Sequence, residues 1–93
     1  MSSDQREQFQ SGMRQFIQIE LETGMTFASI ALESRTEETR RQRNRQNARK
    51  AYDTANHFLN EHAVGQPVIE PNLLAQLAML RGILIQLGER FAE

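Results

Sequence analysis

Leucines and one phenylalanine recur in the last quarter of the chain at alternating intervals of four and three residues. They are Leu73, Leu77, Leu80, Leu84, Leu87 and Phe91. Since an α-helix turns once every 3.6 residues, this spacing lines the six side chains along one side of a helix. It predicts a helix over about residues 71–91, with Pro71 in the first turn. More apolar residues widen that side: Leu74, Ala78, Ile83 and Ile85. A helix with so broad an apolar side needs two neighbours, or one neighbour and a partner chain.

A first long helix is predicted over about residues 4–34, where apolar residues also recur at helical spacing. The main positions are Phe9, Met13, Phe16, Ile17, Leu21, Met25, Ala28 and Leu32. Gly12 and Gly24 interrupt this pattern, and a glycine inside a helix costs about 1 kcal/mol relative to alanine. We therefore expect each glycine to mark a close approach of a neighbouring helix.

A second helix is predicted over about residues 37–62. Its apolar positions are confined to the second half: Ala48, Ala51, Tyr52, Ala55, Phe58 and Leu59. Before it, Ser34 and Glu37 have the spacing of a capping box, and Thr36 is an alternative N-cap. After it, Gly65 and Pro67 indicate a loop.

Short connections favour antiparallel packing of consecutive helices. The chain is therefore predicted to be one all-α domain over residues 1–93, a three-helix up-down-up antiparallel bundle with a long hairpin of helices 1 and 2. If the first reversal lies at residue 35, Phe58 is placed near Gly12 and Tyr52 near Gln18. If the second lies at residue 66, Leu80 is placed beside Tyr52.

The composition argues against several kinds of chemistry. The chain has no cysteine, which excludes disulfides, thiolate metal sites and thiol nucleophiles. Its serines and threonines have no histidine placed to activate them, and no cofactor motif is present. We find no apolar run long enough to span a membrane and no signal peptide. We therefore expect a cytoplasmic protein that is not an enzyme and binds no cofactor or metal.

Positive charge is concentrated in one segment of a chain whose net charge is only −1. Residues 40–50 contain no acid but hold Arg40, Arg41, Arg43, Arg45, Arg49 and Lys50. We call the five arginines of this segment the arginine cluster. Such a helix could neutralise phosphates of a nucleic acid or another anion. We favour a solvated face paired with nearby acids, for example Glu37 with Arg41, because the rest of the chain is acidic.

Two further candidates for a chemical site lie on the predicted helix 2. Asp53, His57 and Glu61 lie on one stripe of helix 2 at intervals of four residues and could contribute ligands to a divalent ion. No second histidine joins the stripe, so we favour a solvated flank and predict no metal site. Tyr52 is predicted to be a core residue whose hydroxyl reaches Glu20 or solvent.

Some apolar residues lie off the main stripes or opposite the polar half of helix 2. We select Ile30, Leu32, Met79 and Ile83 as a candidate interface, the alternative being one unusually wide core. Because helix 2 is too polar to cover helices 1 and 3, we expect the chain to form a homodimer, the alternative being another protein as the partner.

Two resemblances accompany these patterns. Gly24 and Phe27 on helix 1, with Ala48, Tyr52 and Ala55 on helix 2, resemble the packing signature of a tetratricopeptide helix pair. Here the glycine and the first alanine are 24 residues apart, whereas about 12 separate them in that repeat, and Asn60 replaces its terminal proline. Residues 24–28 and 47–55 are also similar to a group of small bacterial all-helical proteins of unknown function. Both resemblances imply helix packing and neither implies an activity.

The sequence thus favours a non-catalytic protein–protein interaction or assembly module. The alternative is nucleic-acid binding through the arginine-rich first half of helix 2.

Overall fold

The computed structural model describes residues 2–63 and 71–92, with the side chains of residues 12–61 and 71–92. It contains three helices: α1 (Ser2–Glu33), α2 (Glu38–Ala63) and α3 (Pro71–Gln86). Each helix contacts the other two, and the two described ranges contain no strand. The prediction of an all-α, three-helix antiparallel bundle is confirmed. None of the helices in these ranges combines the length and the apolar character needed to cross a membrane.

The chain reverses between α1 and α2 through residues 34–37. The Ser34 hydroxyl donates to the Ile30 carbonyl at 2.7 Å, and the Ser34 amide donates to the Ala31 carbonyl at 3.2 Å. Ser34 therefore closes the end of α1, and its prediction as the N-cap of α2 was wrong. The Arg41 amide donates to the Glu37 carbonyl at 2.9 Å, which makes Glu37 the N-cap residue.

The core lies where the three helices meet. Its buried members are Ile17, Leu21, Ala28, Ala31, Ala48, Tyr52, Ala55, Leu59, Leu73, Leu80, Leu84 and Leu87. All three helices come close together at Gly24, where an added Cβ would lie 2.7 Å from Leu80 Cδ2 and 3.2 Å from Ala51 Cβ. The expected close approach at Gly24 is confirmed. At Gly12 it was wrong, because that position is exposed and an added Cβ would meet nothing within 4 Å.

The register between α1 and α2 differs from the predicted one by about one helical turn. Phe16, rather than Gly12, packs against Phe58, with ring centroids 5.2 Å apart. The midpoint between Phe16 and Phe58 along the chain is residue 37, two residues later than the reversal at residue 35 that the prediction assumed. The predicted loop residues Gly65 and Pro67 lie outside the described residues.

The third helix ends at Gln86, five residues before its predicted end at 91. Gly88 has a φ of 100°, a left-handed conformation that side chains disfavour. Its amide donates to the Ile85 carbonyl at 3.0 Å, and the Glu89 amide donates to the Leu84 carbonyl at 2.9 Å. These two bonds form a Schellman motif. The leucine spacing concealed this end because Phe91 still packs against the core from beyond the helix.

The two glycines of α1 provide a matched test of the packing. We expect Gly24→Ala to lower the free energy of unfolding by about 1–3 kcal/mol, because the methyl group collides with Leu80 and Ala51. Gly12→Ala should raise it by up to about 1 kcal/mol, because alanine is the better helix former and the space is open. Urea denaturation followed by circular dichroism measures both. Equal effects of the two substitutions would contradict the three-helix contact at Gly24.

Candidate functional site

The arginine cluster divides into two parts with different surroundings. Arg45 and Arg49 lie on the side of α2 that faces the segment after α3, which we call the C-terminal segment (residues 87–92). The Arg45 Nη1 donates to the Leu87 carbonyl at 3.3 Å, and its Nε lies 3.2 Å from Glu89 Oε2. Arg45 therefore binds both the backbone and an acid of that segment.

Arg49 makes more contacts than Arg45. Its Nε donates to both carboxylate oxygens of Asp53, at 3.0 and 3.1 Å. Its Nη1 donates to Glu89 Oε1 at 3.3 Å and to the Arg90 carbonyl at 2.7 Å. The two arginines thus supply donors to two carbonyls that follow the end of α3, and both pair with Glu89.

Phe91 completes the attachment of the C-terminal segment to α2. Its ring lies 5.0 Å from the Tyr52 ring in an edge-on arrangement. The Arg49 guanidinium carbon lies 3.9 Å from the centre of the Phe91 ring, close enough for a cation–π contact. Tyr52 is buried, as predicted, but no hydrogen bond joins its hydroxyl to Glu20.

The rest of the arginine cluster is exposed. Arg40 lies 3.7 Å from Glu37, and Arg41, half-exposed, lies 3.9 Å from Glu38. The acids therefore pair with arginines three residues later, and the predicted Glu37 and Arg41 pair is absent. Ion pairs this exposed contribute little to stability. Arg43 is also exposed and forms no ion pair with the residues that the structure describes.

The residues that could bind a metal form ion pairs with other side chains instead. Asp53 is held by Arg49, and His57 Nε2 lies 3.5 Å from Glu61 Oε2 on an exposed surface. Within residues 12–61 and 71–92, no three acids or histidines are grouped so that they could hold a metal ion. The side chain of His62, which follows Glu61, lies outside the described side chains.

The four candidate interface residues differ in how exposed they are in the structure. Met79 is 60% exposed and Leu32 is 38% exposed, whereas Ile30 is half-buried. Ile83 is half-buried and packs against the core, which favours the alternative of a wide core at this position. It lies near the buried leucines because it follows Leu80 by three residues, close to one turn of the helix.

The structure reveals a larger apolar surface on α3. We call it the outer face, and it consists of the exposed residues Leu74, Ala75, Ala78, Met79, Gly82 and Ile85. Leu74 is 44% exposed and Ile85 is 52% exposed. The face contains no charged residue. Small side chains occupy its middle, and a Cβ added at Gly82 would meet nothing within 4 Å.

Leu74, Ala78 and Ile85 are predicted from the sequence to widen the core, but all three are exposed in the structure, so most of the outer face was not predicted. The sequence nevertheless contains a signal for this surface. Arg81 is the only charged residue in α3, and the apolar residues of the helix are too many to fit on one side. A helix with apolar residues on more than one side is normally covered on more than one side.

No family model matches this chain, and the searches found no similar curated protein or solved structure. We therefore infer a function from the geometry of two surfaces, the arginine cluster of α2 and the outer face of α3.

The two parts of the arginine cluster predict different mutational effects. We expect Arg49→Ala to lower the free energy of unfolding by about 1.5–3 kcal/mol, because it removes charged hydrogen bonds that anchor the C-terminal segment. Arg43→Ala, on the same helix but exposed, should change it by less than about 0.5 kcal/mol. Thermal and urea denaturation of both variants check this. Similar stability of the two would mean that Arg49 does not anchor that segment.

Proposed function

We propose that this protein is a non-catalytic helical module that binds a protein partner through the outer face of α3. The observation that supports it most is that the exposed residues of α3 are mostly apolar and include none that is charged. Contiguous exposed apolar surface on small proteins usually marks an interaction site. Because the chain lacks cysteine, it suits a reducing compartment, and we propose that it acts in the cytoplasm.

The arrangement of α3 suits a helical partner. Leu73, Leu80 and Leu84 are buried against α1 and α2, so the opposite side of α3 receives no cover from those helices. Ala78 and Gly82 lie in the middle of that side, where their small size lets another backbone come near. Helices that pack through small residues reach the short end of the usual interaxial range, about 8 Å. A partner helix could therefore lie along α3.

Nucleic-acid binding by α2 is the second candidate. Arg40, Arg43 and Lys50 are exposed and could contact phosphates. Arg45 and Arg49, however, are bound to the C-terminal segment. Because the acids Glu37, Glu38 and Asp53 flank the remaining cations, the basic surface is small, and we favour the protein partner.

Site-specific photocrosslinking in the native cell compares the two surfaces directly. A photoreactive amino acid at Met79 reports on the outer face of α3, and one at Gln46 reports on the exposed basic side of α2 between Arg43 and Lys50. We expect a discrete protein adduct, with itself or with another protein, from position 79 and none from position 46. Adducts only from position 46, or none from either, would contradict the proposal.

A further inference from the structure

We propose that Arg45, Arg49 and Tyr52 of α2 form a docking site for a partner peptide that carries a glutamate and, two residues later, an aromatic residue. The C-terminal segment of this chain occupies that site in the structure and is its built-in competitor. The site is separate from the outer face of α3, so it adds a second binding surface to the one proposed above and does not depend on it.

The contacts between α2 and the C-terminal segment are of the kind that recognise a peptide. Arginine side chains of α2 donate to two backbone carbonyls, those of Leu87 and Arg90, at 3.3 and 2.7 Å. Each oxygen of the Glu89 carboxylate meets one arginine, with Oε1 lying 3.3 Å from Arg49 Nη1 and Oε2 lying 3.2 Å from Arg45 Nε. The carbonyl contacts suit any peptide backbone, whereas the pair of guanidinium groups selects an acid.

An aromatic ring is recognised about one turn further along α2. The Phe91 ring lies edge-on to the Tyr52 ring, with centroids 5.0 Å apart. The guanidinium carbons of Arg49 and Arg81 lie 3.9 and 5.1 Å from the centre of the Phe91 ring. One ring and two cations thus contact it. Residues 89–92 have no regular secondary structure, so a short linear peptide can present the same groups.

The chain's own segment does not satisfy the site completely. Arg45 Nε lies 3.2 Å from Glu89 Oε2 but is not aligned with it for a hydrogen bond, and no other described residue accepts one from this buried atom. Buried nitrogen donors nearly always have an acceptor. The position of Glu89 is constrained by Gly88, which joins the segment to α3 in a left-handed conformation. A partner peptide without that constraint could turn an oxygen toward Arg45 Nε and fit the site better.

Release of the segment leaves neither arginine as an unpaired buried charge. Arg49 keeps both hydrogen bonds to Asp53, which lies on the same helix. The side chains of Arg45 and Arg49 are 29% and 27% exposed even under the segment, so water reaches them when it leaves. Removing the partner of a fully buried charge is strongly destabilising, and this exchange avoids that cost.

The acid beside the arginines also favours a peptide over a nucleic acid. In the structure, Arg49 holds Asp53 and the Glu89 carboxylate together, so the site accepts one glutamate next to Asp53. A nucleic acid brings a row of phosphates, which Asp53 would repel. The ring contact with Tyr52 and the bonds to carbonyls are likewise met in full by a peptide.

The tether of the segment sets the affinity that a free peptide needs. A short tether gives a bound group an effective concentration on the order of 1 mM. Because the segment is bound in the structure, a free peptide with the same contacts should bind the vacated site with a dissociation constant on the order of 1 mM or tighter. In the parent chain the segment keeps the site covered against such weak ligands, so the expected absence of an adduct at position 46 is unchanged.

Fluorescence of Tyr52 reports on the site, because the chain has one tyrosine and no tryptophan. In the full-length variant Glu89→Ala with Phe91→Ala, the segment loses the carboxylate and the ring, and the site is vacated. Circular dichroism verifies its helices. A peptide with the sequence of residues 86–92, blocked at both ends and free of tyrosine, should change the emission of this variant in a saturable way. The parent chain should bind the peptide at least tenfold more weakly.

Matched variants identify the residues that bind the peptide. In the vacated chain, Arg45→Ala should weaken binding at least tenfold. Arg43→Ala, which removes the same charge from an exposed position of the same helix, should leave the dissociation constant unchanged. A peptide carrying Glu89→Gln should also bind at least tenfold more weakly. If the doubly substituted chain does not fold, the full chain with Glu89→Gln alone, which keeps the ring, should bind the peptide at least threefold more tightly than the parent.

Three results would overturn the proposal. A folded vacated chain that binds no peptide at several millimolar would show that α2 does not recognise this segment as a separate molecule. Equal binding by the parent and vacated chains would indicate another surface. If a single-stranded oligonucleotide binds the vacated chain through Arg45 and the peptide does not, the site is one for nucleic acid. These results leave the photoadduct at position 79 untouched, so the proposed function is tested separately.

Discussion

The contact on which the rest of this bundle depends is the three-way approach at Gly24. Only a residue without a side chain leaves room there for Leu80 of α3 and Ala51 of α2 together. Ala48 and Ala55, both completely buried, add small side chains where α2 packs against its neighbours. Since interiors are packed to the density of organic crystals, a single added methyl group at such a point must displace a helix or distort a side chain.

The orientation of α3 follows from this contact. With Leu80 at the centre of the bundle, Leu73 and Leu84 face inward as well, and the residues half a turn away face solvent. Arg45 and Arg49 of α2 pair with Glu89 in the C-terminal segment, and these contacts hold the far end of α3 against α2. The same constraints that bury one side of α3 therefore leave an uncharged apolar side without cover, and that side carries the proposed function.

The sequence predicted the architecture because helical periodicity depends on local spacing. The three helices, the packing role of Gly24 and the burial of Tyr52 could all be read from residue patterns. The end of α3 could not, because Leu87 and Phe91 keep the leucine spacing although Gly88 adopts a left-handed conformation. The prediction for Ser34 was wrong because a serine hydroxyl can form a hydrogen bond either at the end of one helix or at the start of the next.

The candidate site was harder to predict because it depends on long-range contacts. Nothing local to Arg45 and Arg49 indicates that they bind a segment about 40 residues later in the chain. Ile83 and Met79 are both apolar and four residues apart, yet one packs on the core and the other is exposed. Their different exposure depends on how α3 is placed against its neighbours, which the spacing of the residues does not indicate.

The central claim is that the outer face of α3 is the contact surface of this protein. Proton–nitrogen correlation spectra of the protein inside its native cell, compared with spectra of the dilute purified protein, test it residue by residue. The account predicts shifted or broadened signals in the cell at the amides of Ala75, Ala78 and Gly82, with Arg43 and Lys50 unchanged. Identical spectra in the cell and in dilute solution, or changes confined to the exposed side of α2, would contradict it.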